Sequence, residues 1–432
     1  MPAATPAPAP PERPAPVIPT WPAYQSPHRA ASDRAASRSS RDVPPPVILD
    51  HPRVPGNRPE LVTTDDGLAT LIDQIYAAGG FAYDTEFIGE SSYFAKFCVI
   101  QVATPDRVTL IDGLAELDLM PFWALLADAS VQKIVHAGDQ DLEPCVRLLD
   151  QPAANVYDTQ VVAGFAGLPY PLGLTKLGEA VCDADFGGDF KFSAWDRRPL
   201  TPTQLVYAAN DVRYLWLIKD ELDRRLAETG RVAWAAEECD RRLAIERFQT
   251  DPLSVKIKVK RKGAFKRRER QILDPLILWR DTVAETHDIP VRAVLPDAAM
   301  VALMEDPPRT VEGVKRFKGL PWPVKEHYAK DLANLLDAAV TGPLPPKTRS
   351  LRPLNGTAQA ALESAWPAFL DACETAGLSA ALVGNKKEVI ELVRARHMRH
   401  PFPTDSRLLQ GWRHTFLQPV LGELMEPKPD AA

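Results

Sequence analysis

The sequence predicts an α/β domain built on a mixed sheet, followed by one or two all-helical domains. Three observations carry this reading. Three β-rich runs, Phe81 to Phe87, Phe97 to Ala103 and Arg107 to Ile111, are joined by short links, the pattern of an antiparallel meander. Short strands and helices then alternate up to about residue 227, as in an α/β domain. Beyond residue 250 the apolar spacing is helical.

Residues 1–48 come first. They hold 13 of the 42 prolines, an Arg/Ser stretch from Arg34 to Arg41 and no apolar periodicity. Such a segment buries too little surface to offset its ordering entropy, so a disordered tail is expected. The α/β domain is expected over 55–250. Gly67 to Ala78 is an amphipathic helix, with Asp65 or Asp66 as its cap and Gly79-Gly80 as its stop. The meander follows, its second turn marked by Pro105-Asp106. Helices are then expected at Met120 to Ala127, from about Asp141 to Leu149, and around 159–166, 174–182 and 202–227. Lys133 to His136 and Val156 to Asp158 have the character of short strands.

A basic linker is expected over 251–270. Between Lys256 and Arg270 it carries nine Lys and Arg residues against Glu269 alone. Leu273 to Thr286, Asp297 to Glu305, Val311 to Arg316 and Pro323 to Ala339 predict a small helical domain over 271–340. A Pro-rich joint at 341–350 separates it from a last helical region, 351–426.

Composition narrows the function classes. No run of about 18 apolar residues is present, so no membrane span is expected. The five cysteines are scattered and never spaced as CxxC, which argues against a disulfide framework or a zinc cluster and for a reducing cytoplasm. The net charge of −6 does not announce a nucleic-acid binder, but a whole-chain sum hides local patches.

The chemistry is concentrated in three fragments. Asp84 and Glu86 are two apart on a probable strand, so both carboxylates leave the same face. Two adjacent anions repel unless a cation lies between them, and Mg²⁺ and Mn²⁺ prefer such oxygen donors. Tyr207 and Asp211 are four apart on a probable helix, placing a phenol beside a carboxylate that can orient an attacking water. Between these fragments, Gly138-Asp139-Gln140-Asp141 follows a strand ending at His136. Either acid suits a helix cap while the other is left for a metal. His136 is open to three roles: ligand, base or structural residue. Each fragment alone also fits an ordinary solvated pair. Together, four carboxylates and one tyrosine are the parts of a two-metal phosphodiester-cleaving site.

Their surroundings make the combination specific. Phe-Ala-Tyr-Asp84-Thr-Glu86-Phe, Phe97-Cys-Val-Ile-Gln-Val-Ala, Val135-His136-Ala-Gly-Asp-Gln-Asp141-Leu-Glu and Tyr207-Ala-Ala-Asn-Asp211-Val-Arg-Tyr-Leu resemble the ribonuclease D family of 3′→5′ exonucleases, the tyrosine subclass of the DEDD superfamily. Val156-Tyr-Asp158-Thr-Gln160 and Trp195-Asp-Arg-Arg-Pro199-Leu resemble its connecting segments, with Ala194 where the family often has an acid. The resemblance covers about residues 55 to 230. It implies a ribonuclease H-like exonuclease domain with Asp84, Glu86, Asp141 and Asp211 as ligands of two Mg²⁺ or Mn²⁺ ions and Tyr207 as the fifth catalytic residue. It also chooses Asp141 over Asp139, because the family acid lies five residues after the histidine. The helical region from about 271 to 340, with Leu276-Ile-Leu-Trp279-Arg280 and Val294-Leu-Pro-Asp297, resembles an HRDC domain. The last region, with Leu382-Val-Gly-Asn-Lys-Lys387 and Leu409-Gln-Gly-Trp412-Arg413, resembles a second such copy.

The expected activity is hydrolysis of RNA 3′ ends to nucleoside 5′-monophosphates. The expected partners are tRNA precursors or other structured RNA, with no membrane. Candidate strand contacts are Phe87, Tyr93 and His136, together with Lys256, Lys258, Lys260, Arg261, Lys262, Lys266, Arg267 and Arg268, since an exonuclease must hold a polyanion. Phe87 and Tyr93 fit a core role equally well. Two alternatives remain: a DNA 3′→5′ exonuclease and a non-catalytic RNA-binding scaffold.

Overall fold

The computed structural model describes residues 21, 47–183, 194–249, 251–258, 263–346, 352–398 and 400–426. The expected tail, apart from residues 21, 47 and 48, and Lys260, Arg261 and Lys262 of the basic run lie outside these residues.

The sheet grows from the predicted meander. Strands β2 (Gly80–Ile88), β3 (Lys96–Ala103) and β4 (Val108–Asp112) pair antiparallel, with Asp84 opposite Gln101 and Glu86 opposite Val99. The parallel strands β1 (Glu60–Val62), β5 (Gln132–Val135) and β6 (Val156–Asp158) complete a six-stranded sheet in the order β1-β4-β3-β2-β5-β6. β2 is therefore central and carries acids with a neighbour on each side. The short β1 is not among the expected strands.

Strand alternation divides the sheet's two faces. Phe81 and Tyr83 point to the side covered by α1 (Asp65–Ala78) and α2 (Met120–Ala127), packing with Leu71, Ile75, Phe122 and Trp123. α1 is capped by Thr64, whose hydroxyl accepts the Gly67 N–H, and not by either aspartate expected for the role. The aspartates instead begin the helix, where negative charge suits the positive end of the dipole. Gly79 stops it with φ of 71°, and Gly80 then lies against β5, where an added Cβ would meet the Gln132 carbonyl at 2.7 Å.

Asp84 and Glu86 point to the other side. After α3 (Glu143–Leu149), α4 (Thr159–Phe165) and α5 (Leu174–Cys182), that side receives α6 (Pro202–Arg213). α6 starts with a reciprocal cap: the Thr201 hydroxyl accepts the Gln204 N–H and the Gln204 side-chain Oε1 accepts the Thr201 N–H. The expected single helix over 202–227 is broken at Tyr214, where α7 (Leu215–Thr229) begins. The break lets α6 lie on β2–β4 while α7 turns to pack on α4 and α5. Arg213, buried at the junction, donates to the Pro55 and Asn57 carbonyls.

The described chain forms two compact units. One joins this α/β region and α8 (Val232–Arg241) to the last helical region. The other contains residues 251–346 together with 89–95 and holds α9 (Arg267–Thr286), α10 (Val291–Val294), α11 (Asp297–Glu305), α12 (Val311–Arg316), α13 (Trp322–His327) and α14 (Ala329–Thr341). It closes on its own core of Leu276, Leu303, Val314, Val324, Leu332 and Leu336. In the first unit, α15 (Gly356–Thr375), α16 (Ala380–Val383), α17 (Lys386–His397) and α18 (Gly411–Met425) share one hydrophobic cluster with α4, α7 and α8 through Phe165, Leu222, Phe369, Leu382 and Trp412.

Candidate active site

Asp84, Glu86, His136, Tyr207 and Asp211 line one open pocket of about 170 Å³, together with Tyr83, Leu174 and Leu215. Three of the expected carboxylates, the expected tyrosine and the expected histidine thus meet, although 127 residues separate Asp84 from Asp211. β2 supplies the first two acids by its period of two. α6 supplies Tyr207 and Asp211 by its i,i+4 spacing.

Asp141 is held just outside this lining. The Tyr83 hydroxyl donates to its main-chain carbonyl at 2.7 Å, and the Thr85 hydroxyl donates to its carboxylate. Asp139 does not cap α3; it pairs with Arg247 at 3.3 Å and lies 3.8 Å from Arg242. Of the two acids, Asp141 alone belongs to the charge cluster of the pocket, because its charge acts on Asp84, Glu86 and Asp211.

The four carboxyls disturb one another. Burial, then repulsion from Asp141, Asp211 and Glu86, raises Asp84 well above the usual carboxylate range. Burial and the charges of Asp211 and Asp141 push Glu86 up to about 9. Asp211 is pushed to about 8 by burial and Asp141, and Asp141 to about 6 by burial against the restraining Thr85 hydrogen bond. A cation between them relieves that repulsion. Among the described residues, no three His, Cys, Asp or Glu side chains already stand in an arrangement that closes around a metal. The donor chemistry nevertheless fits a hard divalent ion, since four carboxylates offer oxygen donors only. Asp141 would join them only by turning from Thr85 toward the pocket.

Burial favours a neutral ring at His136. Thr159 Oγ1 donates to the Val135 carbonyl, so at 2.9 Å from His136 Nδ1 it accepts, which puts the ring proton on Nδ1. Burial lowers the ring's pKa to about 4, against a smaller opposing effect of the Leu172 carbonyl.

The remaining candidates lie elsewhere. Phe87 packs edge-on against Phe97, and the Tyr93 hydroxyl donates to Asp281 at 3.0 Å within the helical unit. Neither lines the pocket. Lys256 and Lys258 are exposed; Lys266, Arg267 and Arg268 are exposed at the start of α9.

Two residues beside the site are absent from the candidates drawn from the sequence. Trp195 is buried against Tyr207, and Arg198 ties the Trp195 loop to the sheet through Asp112 and the Cys98 carbonyl. The signal that points to them is the segment Trp195-Asp-Arg-Arg-Pro199 just before the Thr201 cap.

A 3′-5′ exonuclease family matches residues 59–227, and the HRDC domain family matches residues 269–336. The chain is 34% identical over 260 residues to the ribonuclease D of Jannaschia sp. (strain CCS1), covering 59% of this chain and 67% of that one. It is 28% identical over 375 residues to the ribonuclease D of Escherichia coli (strain K12), covering 86% and 99%. The crystal structure of E. coli RNase D, described as an exoribonuclease involved in structured RNA processing, superposes with a TM-score of 0.70 at 26% identity, covering 86% of this chain and all of that one. DEDD exonucleases of this kind are divalent-metal dependent. No described helix is long and apolar enough to cross a membrane.

Proposed function

The chain belongs to the ribonuclease D family of 3′→5′ exoribonucleases, and on that premise we propose that it trims the 3′ ends of structured RNA, tRNA precursors foremost, with two divalent ions at its site. The observation that carries this reading is the single pocket shared by Asp84, Glu86, Tyr207 and Asp211, with Asp141 in electrostatic reach. The description of the E. coli protein as acting on structured RNA supports the substrate.

Asp84, Glu86, Asp141 and Asp211 would hold Mg²⁺ or Mn²⁺. Bound there, the ions would lower the pKa of water and neutralise charge on the phosphate and the departing oxygen. The protein's own share is orientation. The Tyr207 hydroxyl, one helical turn from Asp211, positions the attacking water by hydrogen bonding. The terminal phosphodiester then loses its bond to the 3′ oxygen of the preceding nucleotide. The products are a nucleoside 5′-monophosphate and a strand shortened by one, with a new 3′-hydroxyl. The five free thiols suit a reducing compartment, the cytoplasm.

The test is a matched set of substrates: a tRNA precursor with a 3′ extension, an unstructured RNA and a DNA of the same sequence, each with Mg²⁺ or Mn²⁺. Stepwise release of mononucleotides, fastest from the precursor, is expected. Equal or faster shortening of the DNA overturns the RNA assignment, because only RNA offers the 2′-hydroxyl.

A further inference from the structure

Gln101 sits within β3 with none of its surface in solvent. Antiparallel pairing sets it directly opposite Asp84 on β2 and Leu110 on β4. Directly opposed residues leave the same face of a sheet, with Cβ atoms roughly 4.5–5.5 Å apart. Its neighbours fix which face this is. Val99 and Leu110 pack with Ala208 of α6, and Ala82 and Ala103 cluster with Ala209 of the same helix. Gln101 is two residues from both Val99 and Ala103, so it lies beneath α6, on the side that carries Asp84 and Glu86.

The position is an unfavourable one for an amide. A glutamine side chain brings a carbonyl oxygen and an NH₂ group with two donors. Here Nε2 and Oε1 are both buried, and neither meets a hydrogen-bond partner among the described residues. Val99, Ala103 and Leu110 beside it offer none. Asp112, diagonal to it on β4, is held by two nitrogens of Arg198. An apolar side chain of the same length would serve packing alone, since burying unpaired polar atoms opposes folding. Asp84, directly opposite, is the group a donor here can serve. A charged carboxylate has more lone pairs than one cation takes, and outer hydrogen bonds orient such ligands. Gln101 does not line the pocket, so its action is on Asp84 and not on the strand.

We propose that Gln101 is a positioning residue for the reaction: its Nε2 donates to the Asp84 carboxylate when that group is charged and holds a divalent ion, fixing which oxygen faces the pocket. This rests on Asp84 being a metal ligand. The contribution of the amide is confined to the loaded site. In the metal-free protein the amide stabilises nothing.

The experiment uses the full chain and Gln101→Met, which keeps the length of the side chain and loses the amide. Thermal melts with chelator should give a midpoint equal to or above that of wild type, because an unpaired buried amide is exchanged for an apolar group of like shape. Calorimetric titration with Mn²⁺ alone should show affinity weakened roughly tenfold. RNA shortening at limiting Mn²⁺ should slow by a similar factor, with KM for RNA unchanged. Gln101→Leu, a smaller apolar replacement, repeats the measurements should Gln101→Met fail to fold. If both variants fail to fold, or both melt well below wild type in chelator, the amide is already in use without metal and the proposal is overturned. Wild-type Mn²⁺ affinity in a folded variant overturns it equally, and leaves Asp84 as a ligand. A wild-type protein that takes up no Mn²⁺ defeats the metal reading itself and this proposal with it.

Discussion

The indole of Trp195 lies against the phenol ring of Tyr207, with centroids 6.1 Å apart and planes tilted by 37°. Behind the indole, Arg198 donates to the Trp195 carbonyl at 2.8 Å, the Cys98 carbonyl at 2.7 Å and the Asp112 carboxylate. One guanidinium therefore ties β3, β4 and the loop that backs Tyr207. Arg198→Lys keeps the charge but loses the planar fork. We expect kcat to fall between about tenfold and about 100-fold, with KM for RNA little changed, because small misplacements of an orienting group act on the chemical step. Steady-state kinetics decide. A raised KM with unchanged kcat would show that the loop holds the strand instead.

Asp84→Asn and Asp211→Asn separate chemistry from stability. Each should abolish RNA shortening. Each also removes one acid from a cluster whose members raise one another's pKa, so the metal-free protein should melt higher than wild type by a few °C. Mg²⁺ should stabilise wild type by binding the folded state, and should raise the variants' Tm less. Thermal melts with chelator and with metal read both effects. Residual wild-type activity in either variant would remove that carboxylate from the site.

Much of this arrangement is legible in the sequence because it is periodic. The alternation on β2 and the i,i+4 spacing on α6 place four of the five catalytic candidates, and Met120–Ala127, Val156–Asp158 and Val311–Arg316 begin and end where their local signals say. What stays hidden depends on distant partners. β1 has only three residues and exists because Val108–Asp112 is there to pair with it. The break at Tyr214 has no local proline or glycine; it follows from packing on the sheet on one side and on α4 and α5 on the other. The separate roles of Asp139 and Asp141 are set by Arg242 and Arg247 against Tyr83 and Thr85, residues far away in the chain.

Gly80→Ala tests the seating of the catalytic strand. Its Cβ would fall 2.7 Å from the Gln132 carbonyl, a main-chain atom that can yield only if β2 and β5 move apart. The change should cost about 1–3 kcal/mol. Activity should fall as well, since the same strand carries Asp84 and Glu86. Chemical denaturation measures the first effect and RNA shortening at low temperature the second.

Glu238 and Arg413 join α8 to α18 as a buried pair, and Trp412 Nε1 donates to the same carboxylate at 3.3 Å. Arg413 also donates to the Val383 and Leu382 carbonyls, both at 2.8 Å. Burial by itself would raise the Glu238 pKa, but hydrogen bonds from Arg241 and Arg413 outweigh it and hold the carboxyl down at about 2. A carboxyl depressed on folding adds stability above its unfolded value, near 4.5, and that contribution is lost as pH falls through about 2. Its size is about 3 kcal/mol. Acid unfolding of the wild type should therefore steepen below about pH 4.5. Glu238→Gln should be destabilised at pH 7 and flatter across that window. Arg413→Met should cost more, about 3–5 kcal/mol at pH 7, because it leaves a buried carboxylate without its one buried ion-pair partner among the described residues. Denaturant titrations from pH 7 down to pH 3 measure all three curves, and parallel wild-type and Glu238→Gln curves would remove Glu238 from the acid response.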